Sequence, residues 1–450
     1  MIDLLVRNGT IVDGVGSSRG SVAVRDSRIV ARFAEGEELP AARRSIDADQ
    51  CIVLPGLVDP HVHLYGDGFS AYSRLAAMGG VTTSIAMIRG EPEEKLGEVT
   101  SRHRAQGEAG SLVDFSFHVV LHDRPETLGQ IAELAAKGFH SYKMFLAYKS
   151  RGMMSREEFL FAAMDEIRRT QSIALIHSED GELVDRLEQA AVAAGERLPE
   201  HYAPTRPPEA EASAIGVVAL ASQATGCPAY IVHVSSAAGL AAVEQARHRG
   251  VRLWAETCPQ YILMDDDVLR THGAMARIAP PLRTLEDRRA LGTALSAGAI
   301  NTLGTDHACY SFEAKAKGAD DIFKAPFGMP GAPLLWPSMF TWARDEGVSL
   351  QILVRAMAYT PAALFGMGDR KGSLAPGADA DIVIVDPVTE RVIDAEYLWP
   401  GVCPHPFAGR PLVGWPRTTI SRGEIIWDEG EVTAKYGRGR LVEQRGYGHA

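Results

Sequence analysis

Asp59-Pro60-His61-Val62-His63 follows directly on the apolar run IVLPGLV. In an extended chain, side chains at i and i+2 point the same way, about 6–7 Å apart, so both imidazoles can converge on one ion. Taken alone, the pair reads equally well as two surface histidines in a loop. Other residues decide between the two: His177 ends SIALIH, His233 sits in AYIVHV and Asp306 follows NTLGT, each at or near the end of an apolar segment. One buried histidine at a strand end is more often an ordinary core residue. Histidines and an aspartate gathered from several strand ends point to a metal centre, because β/α barrels carry their catalytic groups on that face. The segment GFHSYKMFLAY adds Lys143, an odd residue for a barrel interior. Burial strips a lysine of hydration and lowers its pKa, leaving a nucleophilic neutral amine. Lys143 is therefore expected to take up carbon dioxide as a carbamate whose two oxygens bridge two metals. Pairing with a neighbouring acid is the plainer alternative.

Such residues need a frame to hold them. The first fifty residues are β-branched segments broken by turns, LLVRNGTIVDG and then SVAVRDSRIVARF, in which Asn8-Gly9 and Asp26-Ser27 read as hairpin turns. Beyond them, apolar strands alternate with Ala-, Leu- and Glu-rich helical stretches such as ETLGQIAELAAKG and GLAAVEQARHRG. Eight strand candidates can be read: CIVLPGLVD, VTTSIAMI, LVDFSFHVVL, SYKMFL, SIALIHS, AYIVHVS, VRLWAET and NTLGTDH. Eight strand–helix repeats predict an α/β fold, a (β/α)8 TIM-like barrel, over residues 53–369. Residues 1–52 and 370–450 are expected to combine into a small β-sandwich, the latter through ADIVIVD and TTISRGEIIWDEGEV and ending in a Gly/Arg-rich tail.

Composition narrows the function classes. The chain has 450 residues, 46% hydrophobic and 23% charged, enough for one large core and a satellite. Its net charge of −11 and lack of a basic stripe argue against nucleic acid as a partner. The five cysteines, Cys51, Cys227, Cys258, Cys309 and Cys403, lie far apart with no CxxC pair, which fits a reducing compartment. No apolar run reaches the ~18 residues of a membrane span, so a soluble cytoplasmic protein with no membrane partner is expected.

DPHVH, the strand-four lysine, SIALIH, YIVHVS, ETCPQY and GTDH, in this order, resemble the cyclic amidohydrolases: hydantoinases, dihydropyrimidinases, allantoinases and dihydroorotases. GSLAPGADADIVIVD and HPFAGRPLVGWP extend the resemblance over nearly the whole chain. It implies two divalent ions per subunit, zinc with manganese or cobalt as alternatives. His61, His63, Lys143 and Asp306 would bind one, and Lys143, His177 and His233 the other. Two such cations about 3.5–4 Å apart acidify a bridging water and polarise a ring carbonyl. Asp306 would carry the proton to the leaving ring nitrogen, and Tyr148 matches the family's tyrosine that hydrogen-bonds the developing oxyanion. The partner implied is a small cyclic amide, and the assembly a homotetramer or homodimer.

The subfamily rests on departures from these patterns. Dihydroorotases carry an arginine, and allantoinases tend to carry an asparagine, where this chain has Tyr65, so no carboxylate clamp is expected there. Tyr148 in FLAYK, with ETCPQY, favours hydantoinase or dihydropyrimidinase chemistry. The serine that normally precedes PPLR is Ala279 here, and a PNGxxGxE-like stretch appears as Pro326 to Pro333. The family's ring contacts at both points come largely from backbone, so Ala279 and Phe327, with Tyr65, are the expected substrate contacts. Tracts Tyr65–Ser70 and Lys149–Arg156 should rim the pocket, with Met153 and Met154 either shaping an apolar subsite for an exocyclic substituent or, equally, packing on the barrel. Allantoinase is the runner-up reading. A dihydroorotase, a metal-free scaffold of the same fold and an amidohydrolase of acyclic substrates are the remaining alternatives.

Overall fold

The computed structural model describes residues 1–64, 68–401 and 405–448. Its N-terminal strands are β1 (Ile2–Val12), β2 (Ser17–Arg25), β3 (Arg28–Ala34), β4 (Ala42–Asp47) and β5 (Ile52–Pro55). The central strands are β6 (Leu57–His63), β7 (Val81–Ile88), β8 (Asp114–Val120), β9 (Ser141–Phe145), β10 (Ile173–His177), β11 (Ala229–Ile231), β12 (Leu253–Thr257), β13 (Thr302–Leu303) and β14 (His307–Ala308). All eight apolar segments of the sequence therefore contain strands. They form one parallel sheet in the order β13-β12-β11-β10-β9-β8-β7-β6-β14. The last segment, NTLGTDH, is split: Thr302 pairs with Glu256 of β12, while His307 pairs with Val62 of β6. That split closes the sheet into a barrel.

Strands β7, β8 and β10 are buried along their entire length, as a parallel sheet covered on both faces requires. The covering helices show why the sequence alternates. Helix Glu157–Arg169 buries Phe159, Leu160, Ala163, Met164 and Ile167, the spacing of one helical face, with acids in its first turn and arginines in its last. The stretch ETLGQIAELAAKG forms two short helices, Pro125–Leu128 and Ile131–Ala136, interrupted at Gly129-Gln130.

Both chain ends build a second, nine-stranded sheet around its own core of Leu4, Val6, Ile11, Val22, Val53, Ile382, Ile384 and Ile420. Its later strands are β15 (Ile382–Val385), β18 (Pro416–Ser421), β19 (Glu424–Asp428) and β20 (Glu431–Val432); β16 (Arg391–Val392) and β17 (Pro411–Leu412) pair as a separate ribbon. Asp26-Ser27 does turn β2 into β3, both residues having positive φ. Asn8-Gly9 does not make a hairpin. It is a bulge within β1, where the register against β2 shifts between Val6 and Gly9, and the β1–β2 turn falls at Asp13–Gly16, closed by the Asp13 carboxylate. The turn signal is shared because Asn with φ 63° suits either device. Glycine is needed at position 9 because a Cβ there would lie 2.4 Å from Val53 Cγ2 of β5.

The polar tail joins neither sheet edge. It seals the N-terminal end of the barrel strands: Arg440 N donates to Asp114 Oδ1, Val442 N to Phe115 O and Gln444 Nε2 to Phe117 O. Among the described residues no helix is long and apolar enough to cross a membrane, and Cys51, Cys227, Cys258 and Cys309 are free thiols.

Candidate metal centre

At the opposite end of the barrel a cavity of about 560 Å³ is lined by His61, His63, Lys143, His177, His233 and Asp306, all six residues singled out above. That volume is ordinary for a small-molecule site. His61 and His63 end β6, Lys143 lies in β9 with His177 at the end of neighbouring β10, and His233 follows β11. Asp306 stands between β13 and β14 with φ 48°, and His233 has φ 39°; both backbones are held in the left-handed region that non-glycine residues seldom adopt.

The nitrogen and oxygen atoms converge. His61 Nε2 lies 3.3 Å from His63 Nε2, and each is 3.2 Å from Asp306 Oδ1. His177 Nδ1 lies 3.0 Å from His233 Nε2. Two buried carboxylates fix which nitrogens face inward. Glu256 Oε1 is 2.6 Å from His61 Nδ1 and accepts from His233 N at 3.0 Å, while Glu179 Oε2 is 2.7 Å from His177 Nε2. With its outer nitrogen turned to Glu179, a neutral His177 presents the Nδ1 lone pair to His233. Burial lowers His177 to about 4, so it is neutral at neutral pH. Between His177 Nδ1 and His233 Nε2 there is room for one proton or one cation, and among the described residues the buried His233 Nδ1 has no hydrogen-bond partner. His61, His233 and Asp306 offer ligand atoms within 4.8 Å of one another. The donor set thus fits divalent ions oriented by outer carboxylates.

Lys143 is 1% exposed, and among the described residues its ammonium has neither a hydrogen-bond nor an ion-pair partner. Burial, partly offset by Glu256 and Asp306, lowers its pKa to about 7. The plainer expectation, a lysine neutralised by an adjacent acid, does not match this geometry.

The remaining contacts sort the other expectations. Tyr148 follows β9 with φ 67°, which aims its hydroxyl at the cavity, 3.5 Å from His177 Nδ1. Ala279 and Phe327 line the same cavity; Tyr65 falls outside the described residues. Met153 lines the cavity, whereas Met154 packs on Gly181, where a Cβ would lie 2.7 Å from Met154 Sδ. A wholly apolar rim is not what forms.

Several site residues gave no signal in the sequence reading. Glu179 is gripped by both ends of the Arg206 guanidinium, Nε to Oε1 at 3.1 Å and Nη2 to Oε2 at 3.0 Å. Burial opposes its charge, yet Arg206 and His177 hold its pKa near about 2. Arg206 in turn stacks on Tyr148 and Phe327. Asp59 accepts hydrogen bonds from Thr305 N and Oγ1, His61 N and Tyr72, tying the His61 segment to the turn that carries Asp306. Glu256 sits in the quoted ETCPQY motif and Asp59 in DPHVH, so the motifs contained the positions without disclosing their work.

Comparison with known proteins adds a second line of support. Residues 52–426 match the amidohydrolase family. The chain is 31% identical to a D-hydantoinase of Ralstonia pickettii, over 99% of this chain and 100% of that protein. It is 33% identical to one from Geobacillus stearothermophilus, over 99% and 97%. The crystal structure of a dihydropyrimidinase from Brevibacillus agri NCHU1002 superposes with a TM-score of 0.95 at 30% identity, covering 99% of both chains.

Proposed function

Because this chain belongs to the amidohydrolase family, we propose that it opens the ring of a hydantoin or dihydropyrimidine by hydrolysing a cyclic amide C–N bond, releasing an N-carbamoyl amino acid. The observation that carries the reading is the convergence of His61, His63, Lys143, His177, His233 and Asp306 on the cavity that Tyr148 and Phe327 also line. Hydantoinases and a dihydropyrimidinase are among the full-length relatives, and they favour this ring chemistry over allantoin.

In this reading His61, His63, Lys143 and Asp306 hold one divalent ion, and Lys143, His177 and His233 a second; zinc is the first choice, manganese or cobalt the alternatives. When bound, the ions supply Lewis acidity, polarising a carbonyl and making water a stronger acid. The neutral Lys143 amine would attack carbon dioxide, forming an N–C bond and releasing one proton to solvent, and the resulting carbamate would share its single negative charge between two oxygens. Asp306 accepts a proton from the attacking water and delivers it to the ring nitrogen as the C–N bond breaks. Burial raises the Tyr148 hydroxyl well above its ordinary pKa, so it stays protonated and donates to the carbonyl oxygen as negative charge builds there. Backbone groups at Ala279 and Phe327 orient the ring. The same reading places the protein in the cytoplasm as a homotetramer or homodimer, which light scattering measures.

The test is a panel of hydantoin, dihydrouracil, allantoin and dihydroorotate offered to the zinc- or manganese-loaded protein. Release of N-carbamoyl products from hydantoin or dihydrouracil is expected. Turnover confined to allantoin, or none of the four rings opened, would overturn the proposal.

A further inference from the structure

The outer half of the cavity departs from an apolar subsite. Arg89 and Glu91, beyond β7, line one side, with His103 and Gln106 from helix Leu96–Gly110; Arg151 and Met153, beyond β9, line the other. Arg89 Nη1 lies 2.8 Å from Met153 Sδ, which places the two sides in contact. The Arg151 guanidinium lies 4.2 Å from the centroid of the Phe327 ring and 5.8 Å from that of Tyr148. It is therefore little more than one aromatic ring away from the metal ligands.

Both arginines are exposed, and among the described residues neither has a carboxylate within ion-pair distance, Glu91 included. Other cations on the surrounding segments are paired: Arg102 with Glu94, Arg124 with Glu93, Lys149 with Glu182 at 2.6 Å and Arg156 with Asp123 at 2.8 Å. Two guanidiniums without a carboxylate partner thus face one cavity. A guanidinium presents a planar fork that matches a carboxylate. Phe327 under Arg151 offers a π face that holds that fork in one plane.

We infer that Arg89 and Arg151 bind a carboxylate at the end of the ring's exocyclic arm. The substrate class is then a hydantoin or related cyclic ureide of an acidic amino acid, opened to an N-carbamoyl dicarboxylate. This rests on the ring-opening reading above and names the substrate within it.

The experiment compares kcat/KM of the metal-loaded protein for 5-(2-carboxyethyl)hydantoin, its neutral isostere 5-(2-carbamoylethyl)hydantoin and unsubstituted hydantoin. The acid should be preferred to the amide by roughly tenfold or more, the scale of one good charge-assisted contact. The acid-to-amide ratio, taken within each variant so that a general loss cancels, should fall toward one in Arg89→Gln and Arg151→Gln and persist in Arg151→Lys. A ratio near one in the unaltered protein, or one that both glutamine variants leave unchanged, overturns the inference. Should no hydantoin be opened at all, the ring-opening reading fails separately. Calorimetric binding then decides the arginine site: N-carbamoylglutamate binding more tightly than N-carbamoylglutamine supports it, and equal affinities overturn it.

Discussion

Glu179 and Glu256 touch no reacting atom in the proposed reaction, yet each fixes the ring of a candidate ligand. Glu256 holds His61 and the backbone of His233 and accepts from Tyr230; Glu179 holds His177 and is itself held by Arg206. Replacing either by Gln should weaken metal affinity about 10- to 100-fold, the usual effect of losing an orienting carboxylate, read by competition with a chelator. Unchanged affinity would mean that the histidines are oriented by packing alone. Tyr148→Phe addresses a different step: metal content should stay unchanged while kcat falls about 100-fold or more, the effect of removing one oxyanion donor. At this scale the sequence was legible where chemistry restricts residue type. Few residues can ligate a metal from a strand end, so the six candidates stood out. Arg206 lies in the loop between two helices, where an arginine ordinarily faces solvent, and nothing local marks it as buried.

Two lysines outside the cavity hold the elements that shape it. Lys371 is fully buried, its Nζ 2.6 Å from Asp114, 2.9 Å from Asp379 and 2.8 Å from Asp381. These carboxylates come from β8 and from the segment leading into β15, so the ammonium joins barrel and terminal sheet. It also accounts for an acidic cluster that otherwise has the form of a cation site. Lys371→Met should cost about 3–5 kcal/mol in urea unfolding, because it leaves buried carboxylates uncompensated. Lys315, 2% exposed, donates to Arg277 O and Pro326 O and so braces the segment that carries Phe327. Burial lowers its pKa to about 7. Between that value and the unfolded value near ~10.4, the unfolded chain binds a proton that the folded protein does not. Stability from this group therefore rises with pH across that window, by at most about 1.4 kcal/mol per unit, and is flat below it. The unfolding free energy of the unaltered protein, minus that of Lys315→Met, should grow from pH 7 to pH 10. A constant difference would contradict the burial assigned to Lys315.

For the molecule as a whole, the polar C-terminal tail acts as a structural plug. Val442 and Gln444 are 1% and 3% exposed against the base of the barrel. A chain ending at Gly439 should lose at least about 2 kcal/mol, from the burial of Val442 alone, measured by denaturant unfolding; an unchanged midpoint would contradict the plug. The barrel was legible because strands such as β7, β8 and β10 are short apolar runs and helices such as Glu157–Arg169 repeat their buried face. The tail was not, since its partners Asp114 and Phe117 lie more than 300 residues away and its glycines and arginines carry no periodicity. Asn8-Gly9 misled for a related reason, its bulge using the same backbone conformation as a turn. Lys143, as a carbamate, is proposed to join two metal ions held by the surrounding histidines and Asp306. Anomalous-scattering maps from crystals of the zinc-loaded protein test it most directly. Two peaks about 3.5–4 Å apart are expected, with density for an added carboxyl group continuous with Lys143 Nζ; a bare amine beside one peak or none would contradict the proposed centre.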